Sequence, residues 1–168
     1  MRKIGMILLA MLMLIGCTAN DASSTVVFVD PNAVQAGAYG DLYFEANGYR
    51  FGIYDPTKDV FEHITSTGTF SEVSCAFEGE DTYYFFSGFE VMANAIDGEE
   101  RVTAINLVDD TVKTPDGLFI GMTETDLCAK LGKEATGDGL YTAKDGTAQR
   151  NITVTDGTVR AISYLPAN

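Results

Sequence analysis

The chain has 168 residues, 24 Asp and Glu against 11 Lys and Arg, and a formal charge of −13. That balance excludes a nucleic-acid binder, which needs a Lys/Arg footprint for the phosphates, and it excludes electrostatic adhesion to anionic lipid heads. Length and aromatic content (10 Phe, 8 Tyr, no Trp) are enough for one buried core or two small ones.

Arg2 and Lys3 open the sequence, an apolar run follows from Ile4 to Ile15, and Gly16 leads into Cys17. A charged start, a short apolar stretch and a small residue at the cut describe a secretory signal, and the run is too short to span a bilayer. Leu14-Ile15-Gly16-Cys17 resembles the lipobox of bacterial lipoproteins, which implies cleavage after residue 16, acylation of Cys17 and attachment to the extracytoplasmic face of the cell membrane through the acyl chains. Two chains anchor stably where one is marginal. Removing residues 1–16 leaves nine basic residues against 24 acidic ones, a charge of −15. Residues 17–40 form the lipidated N-terminus and a small, polar tether, within which residues 26–29 read as a short strand or a patch laid on the domain.

From residue 41 the signals are those of hairpins. Asn47-Gly48 lies between two alternating apolar runs, and Asp-Gly pairs stand at 97–98, 116–117, 138–139, 145–146 and 156–157. Such pairs suit type I′ turns, which need positive φ at both central residues. Val102–Val108, Ile152–Val154 and Val159–Leu165 alternate as half-buried strands. Two segments carry helical spacing instead. In the first, Asp55 is the expected N-cap and Pro56 the first helical residue, followed by Val60, Phe61 and Ile64. In the second, Thr123 caps, Asp126 stands three residues on, and Leu127, Cys128 and Leu131 precede a Gly132 stop.

These segments repeat. Phe51, Ile53, Val60 and Ile64 correspond to Leu118, Ile120, Leu127 and Leu131 at a spacing of 67, and residues 102–107 correspond to 159–164 at a spacing of 57. The difference of ten falls between Cys75 and Phe89. The expected architecture is therefore α+β: two tandem β-α-β-β-β units, 41–113 and 114–168, forming antiparallel sheet with one short helix per unit packed on one side. Gly117 through Gly132 resembles the opening of repeats in the β-lactamase-inhibitor-like superfamily, to which the SmpA/OmlA-type outer-membrane lipoproteins also belong. The wider stretch from Ser74 to Gly121 is similar to small Gram-positive lipoproteins of unknown function. The resemblance implies a fold and an envelope setting. It does not imply β-lactamase inhibition, because those inhibitors carry a disulfide in each repeat and this chain has three cysteines.

With Cys17 assigned to lipid, Cys75 and Cys128 leave a disulfide open in an oxidising compartment. Each reads first as a small core hydrophobe, and two free thiols are expected. The single histidine, His63, has no nucleophile placed beside it by a recognisable motif. The acidic clusters at 78–81, 97–100 and 109–110 fall at expected turns and lack calcium-loop spacing, so neither cofactor nor metal is expected.

The sequence feature that speaks for binding is Tyr83-Tyr84-Phe85-Phe86 with Phe89. Alternation on a strand sends Tyr83 and Phe85 to one face, Tyr84 and Phe86 to the other. One pair can fill the core; the other is then exposed, covers a neighbouring helix or contacts a partner, unless the strand is buried on both faces between the two repeats. The functional expectation is a non-enzymatic, lipid-anchored binding module that engages a protein or envelope polymer through the sheet face opposite the helices. The alternatives are a cell-envelope hydrolase using paired carboxylates and a purely structural envelope lipoprotein.

Overall fold

A computed structural model describes residues 40–77 and 79–167. The signal segment, Cys17, the tether and the 26–29 segment lie outside the described residues.

The chain opens on a two-stranded ribbon, β1 (Phe44–Ala46) and β2 (Tyr49–Phe51), turned by Asn47 and Gly48 with φ of 52° and 76°. Helix α1 (Thr57–Phe61) follows, then β3 (Gly68–Val73), β4 (Glu80–Phe85), β5 (Phe89–Ile96) and β6 (Glu99–Leu107). Helix α2 (Glu124–Leu131) leads into β7 (Gly139–Asp145), β8 (Ala148–Thr155) and β9 (Thr158–Pro166). Strands β3 to β9 make one antiparallel sheet in the order β3-β4-β5-β6-β9-β8-β7, and the ribbon stands apart from it.

This corrects the expected α+β architecture of two tandem β-α-β-β-β units. The described residues are mostly strand with two short helices, β1 and β2 do not join the main sheet, and four strands rather than three follow α1. No strand lies between β6 and α2. The Leu118/Ile120 alternation that mimicked one is broken by Gly117 and Gly121, with φ of 80° and 95°. Thr114 folds this stretch into a turn, its backbone N–H donating to Leu118 O (2.9 Å) and its hydroxyl accepting from Leu118 N (2.8 Å). The unexpected strand is β3. All six of its residues are exposed, so no buried face imposes an apolar alternation on the sequence.

The helices also differ from expectation in one cap. Thr123 Oγ1 accepts from Asp126 N (3.1 Å), and Gly132 ends α2 at φ 61°. At α1, however, Pro56 occupies the cap without a side-chain bond, and Asp55 Oδ2 instead accepts from Gly52 N (3.0 Å). A five-residue helix cannot stand alone. It is held by buried Val60 and by Thr57, whose hydroxyl donates to Glu100 Oε2 on β6 (2.6 Å).

One correspondence between the halves is visible in the backbone. Tyr54 N donates to Val102 O (2.7 Å) and Val102 N to Asp55 O (2.9 Å); Gly121 N donates to Val159 O (2.8 Å) and Val159 N to Met122 O (2.9 Å). Each helix is thus entered through a turn clamped to the last strand of its half. Those last strands, β6 and β9, pair at the centre of the sheet through Ile105↔Tyr164 and Asn106↔Ser163. The core lies on the helix side, where Val91, Val102, Ile105, Ile162 and Tyr164 of the sheet meet Val60, Leu127, Leu118 and the ribbon's Phe44 and Phe51. No covering element packs on the opposite face among the described residues.

Candidate functional site

Strand register decides which aromatics are covered. Tyr84 pairs with Val91, which is fully buried, so Tyr84 and Phe86 face the helices. Phe61 of α1 packs on both, with ring centroids 4.3 Å from Tyr84 and 6.0 Å from Phe86, and Phe86 stacks on Phe89 at 4.6 Å. Phe89 is itself buried against Phe44 (4.9 Å). The Tyr84 hydroxyl donates to Glu100 Oε2 (2.8 Å). Burial, reinforced by the Glu100 carboxylate, pushes that phenol well above its ordinary range.

Tyr83 and Phe85 point the other way. Tyr83 stands between Phe70 on β3 and Met92 on β5, and Phe85 between Gly68 and Glu90. Phe70 is 54% exposed and Phe85 38%, and the Phe70 and Tyr83 rings lie 6.2 Å apart. Four adjacent apolar side chains therefore occupy the β3–β5 end of a sheet face that no described element covers. Residues of the sequence run are split between two roles: Tyr83 and Phe85 belong to this surface, while Tyr84, Phe86 and Phe89 build the helix-side packing. The run lies near an edge of the sheet, not between the two halves. Phe70 and Met92 were not singled out from the sequence. Phe70 sits in the strand whose pattern is hidden by exposure, and Met92 in an otherwise ordinary β5.

The chemistry of the face changes across the sheet. Phe85, Glu90, Asn106, Ser163, Asn151 and Thr142 stand in one row over β4, β5, β6, β9, β8 and β7. Asn106 Nδ2 donates to Glu90 Oε1 (3.0 Å), and Asn151 Oδ1 accepts from Thr142 Oγ1 (3.1 Å) and Gln149 Nε2 (2.9 Å). The far end is thus amide and hydroxyl, the near end aromatic. Around the aromatics stand Glu72, Asp81 and Glu90, whose hydrogen bonds come from the neutral Tyr83, Asn94 and Asn106. The open-face positions of β3, β4 and β5 include no Lys or Arg. Burial and the Glu72 charge raise the Tyr83 phenol above its usual range.

Elsewhere two groups of charged side chains are committed to one another. Glu99 takes Lys58 Nζ at 2.6 Å and Arg101 Nη2 at 2.5 Å, and the Lys58 bond holds its carboxyl below the usual range. Arg101 Nη1 also donates to Tyr54 O (2.8 Å), so the guanidinium lining the cleft of about 520 Å³ between Tyr54, Phe77 and Ile96 is already engaged. Buried Arg150 donates to both carboxylate oxygens of Asp116 (2.8 and 2.7 Å), and its guanidinium carbon lies 5.9 Å from the centre of the Tyr164 ring. Burial opposes ionisation of Asp116, but the bonds from Arg150 and Thr114 outweigh it and hold the carboxyl low. Burial pushes the Tyr164 phenol up to about 12.

His63 lies beyond the end of α1, exposed, its ring stacked 3.9 Å from Tyr49. Both thiols of the described residues are free. Cys128 is buried and its Sγ donates to the Tyr141 hydroxyl (3.4 Å). Cys75 does not sit in the core as its apolar neighbours suggested; it is exposed in the β3–β4 connection, because Val73 ends a strand with no buried face. No three His, Cys, Asp or Glu side chains among the described residues stand close enough together to hold a metal ion. No described helix is long and apolar enough to cross a membrane. Comparison with family models, with curated proteins and with solved structures found no match.

Proposed function

We propose that the chain is a non-enzymatic, lipid-anchored binding module on the extracytoplasmic face of a bacterial membrane, engaging a protein or envelope polymer through the aromatic end of its open sheet face. The observation that carries the reading is the cluster of Phe70, Tyr83, Phe85 and Met92 on a face that no described element covers. Contiguous exposed apolar side chains rimmed by polar ones mark interaction sites, and tyrosine and phenylalanine are enriched at interface centres. The carboxylates and the histidine offer no comparable constellation, since the closest-held acids are bound to cations or hydroxyls.

The test places a photo-reactive amino acid at Phe85 in one variant and at Leu140, at the opposite end of the same face, in another. Irradiation of intact cells should yield a crosslinked species from position 85 that is absent from position 140 and lost in a Tyr83→Ser variant. Identical products from both positions would end the reading. The anchoring half is checked separately: Cys17→Ala should move the protein from the membrane to the soluble fraction, and equal retention would refute lipidation.

A further inference from the structure

The free edge of the sheet beside the aromatic cluster specifies the partner further. Strand β3 is an outer strand of the sheet, and among the described residues it pairs with β4 alone. Ser74 N donates to Gly79 O (3.0 Å), closing the hairpin between them. Backbone groups of successive strand residues alternate in direction. Ser74, Glu72 and Phe70 therefore turn their N–H and C=O toward β4, and Thr69, Ser71 and Val73 turn theirs outward. Among the described residues, no backbone bond from another element reaches those three.

Natural sheets blunt such edges with lysine, proline or a bulge. The sequence Gly-Thr-Phe-Ser-Glu-Val of β3 has neither residue, and its register with β4 is unbroken from Gly68↔Phe85 to Val73↔Glu80. The other outer strand is treated differently: β7 carries Lys144, and Lys133 Nζ donates to its Thr142 carbonyl (3.4 Å). Among the described residues one edge carries lysines and the other carries none.

We infer that β3 receives an extended, basic peptide segment as an eighth strand, in which Lys or Arg alternates with apolar residues. An added strand takes its affinity from main-chain hydrogen bonds and its selectivity from alternate side chains. Here those side chains land beside Phe70 and Glu72 on the open face, and beside Ser71 and Val73, which is 79% exposed, on the other. Glu80 and Asp81 stand just across on β4, with no basic residue on either strand. The chain's charge of −13 draws a cationic segment in the same direction. This inference rests on the open-face reading and adds the edge and the partner's chemistry to it.

The probe is a blocked eight-residue peptide of alternating lysine and valine, with a glutamate–valine peptide as its counterpart, titrated by fluorescence anisotropy. Ser71→Pro removes an outward N–H and leaves the β4 ladder intact; Val73→Pro does the same at the strand end, should the first variant fail to fold. The lysine peptide should bind and slow exchange of the Thr69, Ser71 and Val73 amides, and the glutamate peptide should not bind. Ser71→Pro should weaken binding at least tenfold, Ser71→Ala less than twofold, and Glu72→Lys should weaken the lysine peptide severalfold. Unchanged affinity in a folded proline variant overturns the inference. So do slow exchange of those three amides without peptide, which would show the edge already covered, and dimerisation that Ser71→Pro abolishes, which would make a second copy the occupant. If the double variant Tyr83→Ser/Phe85→Ser loses the peptide while the proline variants keep it, the open face stands and the edge falls. If neither change matters, both fall.

Discussion

The two faces of β4 make different predictions for the same chemistry. Consider two double substitutions, Tyr84→Ala/Phe86→Ala and Tyr83→Ala/Phe85→Ala. Truncating a fully buried aromatic costs about 3–5 kcal/mol. Tyr84 and Phe86 are half-buried, so about half of that applies to each, roughly 2 kcal/mol. Loss of the Tyr84 hydrogen bond to Glu100 and of the ring contacts to Phe61 adds about 1–2 kcal/mol. The helix-side pair should therefore cost about 5 kcal/mol, a large share of the roughly 5–15 kcal/mol that holds such a domain. In the open-face pair Tyr83 is half-buried and Phe85 exposed, so the burial cost falls on Tyr83 alone, roughly 2 kcal/mol. With the cross-strand contacts to Phe70, Met92 and Gly68, worth about 0.2–1 kcal/mol each, the pair should cost about 3 kcal/mol. Urea denaturation of residues 40–168 at neutral pH measures both, with the midpoint shift at constant slope giving the difference. If the open-face pair proves as costly as the helix-side pair, that face is covered in solution and the binding surface argued from it does not exist.

Two further outcomes follow from side chains inside the fold. Asp116→Asn should destabilise by about 2–3 kcal/mol, less than the roughly 3–5 kcal/mol of a fully buried broken pair, because Arg150 is 6% exposed but Asp116 is 47% exposed and partly screened by water. Since the folded-state pKa of Asp116 is depressed, the wild-type advantage should be complete well above the unfolded value of about 3.9 and vanish as pH falls through and below it; a gap that persists at pH 2 would assign the effect to packing. Brief alkylation of the native protein should label Cys75 and spare Cys128, with both reacting after denaturation, and a mass two hydrogens lighter without label would show a disulfide instead.

Much of the strand content was legible because half-buried strands must alternate. The ribbon turn at Asn47-Gly48 and strands β6, β8 and β9 all lie where alternation and turn residues put them. The cap at Thr123 and the stop at Gly132 were legible for the same reason, since local hydrogen bonding fixes them. What escaped was set by tertiary context. Leu118 is buried in a turn, and burial alone gave it the look of a strand residue. Strand β3 has no buried side and so no signature, which hid Phe70 and left the extra length of the first half placed after Cys75, when residues 68–73 carry much of it. For the candidate surface, alternation separated Tyr83 and Phe85 from Tyr84 and Phe86, but only the register with Val91 and Phe61's position told which pair was covered.

The pairing at the middle of the sheet has the geometry of a self-complementary contact. At the spacing of 57 that relates β6 to β9, Asn106 stands opposite its own counterpart, Ser163, and Ile105 opposite the counterpart of Leu107. A two-fold axis passing between equivalent residues is how identical subunits meet in an isologous dimer. The strand carrying Asn106 and the strand carrying Ser163 thus meet as the edges of two identical subunits would, within one chain and at the high effective concentration that a covalent link provides, on the order of millimolar for a short one. The outer strands on either side of that seam differ: β3 carries no lysine and sets Phe70 beside Tyr83 and Phe85, whereas β7 carries Lys144.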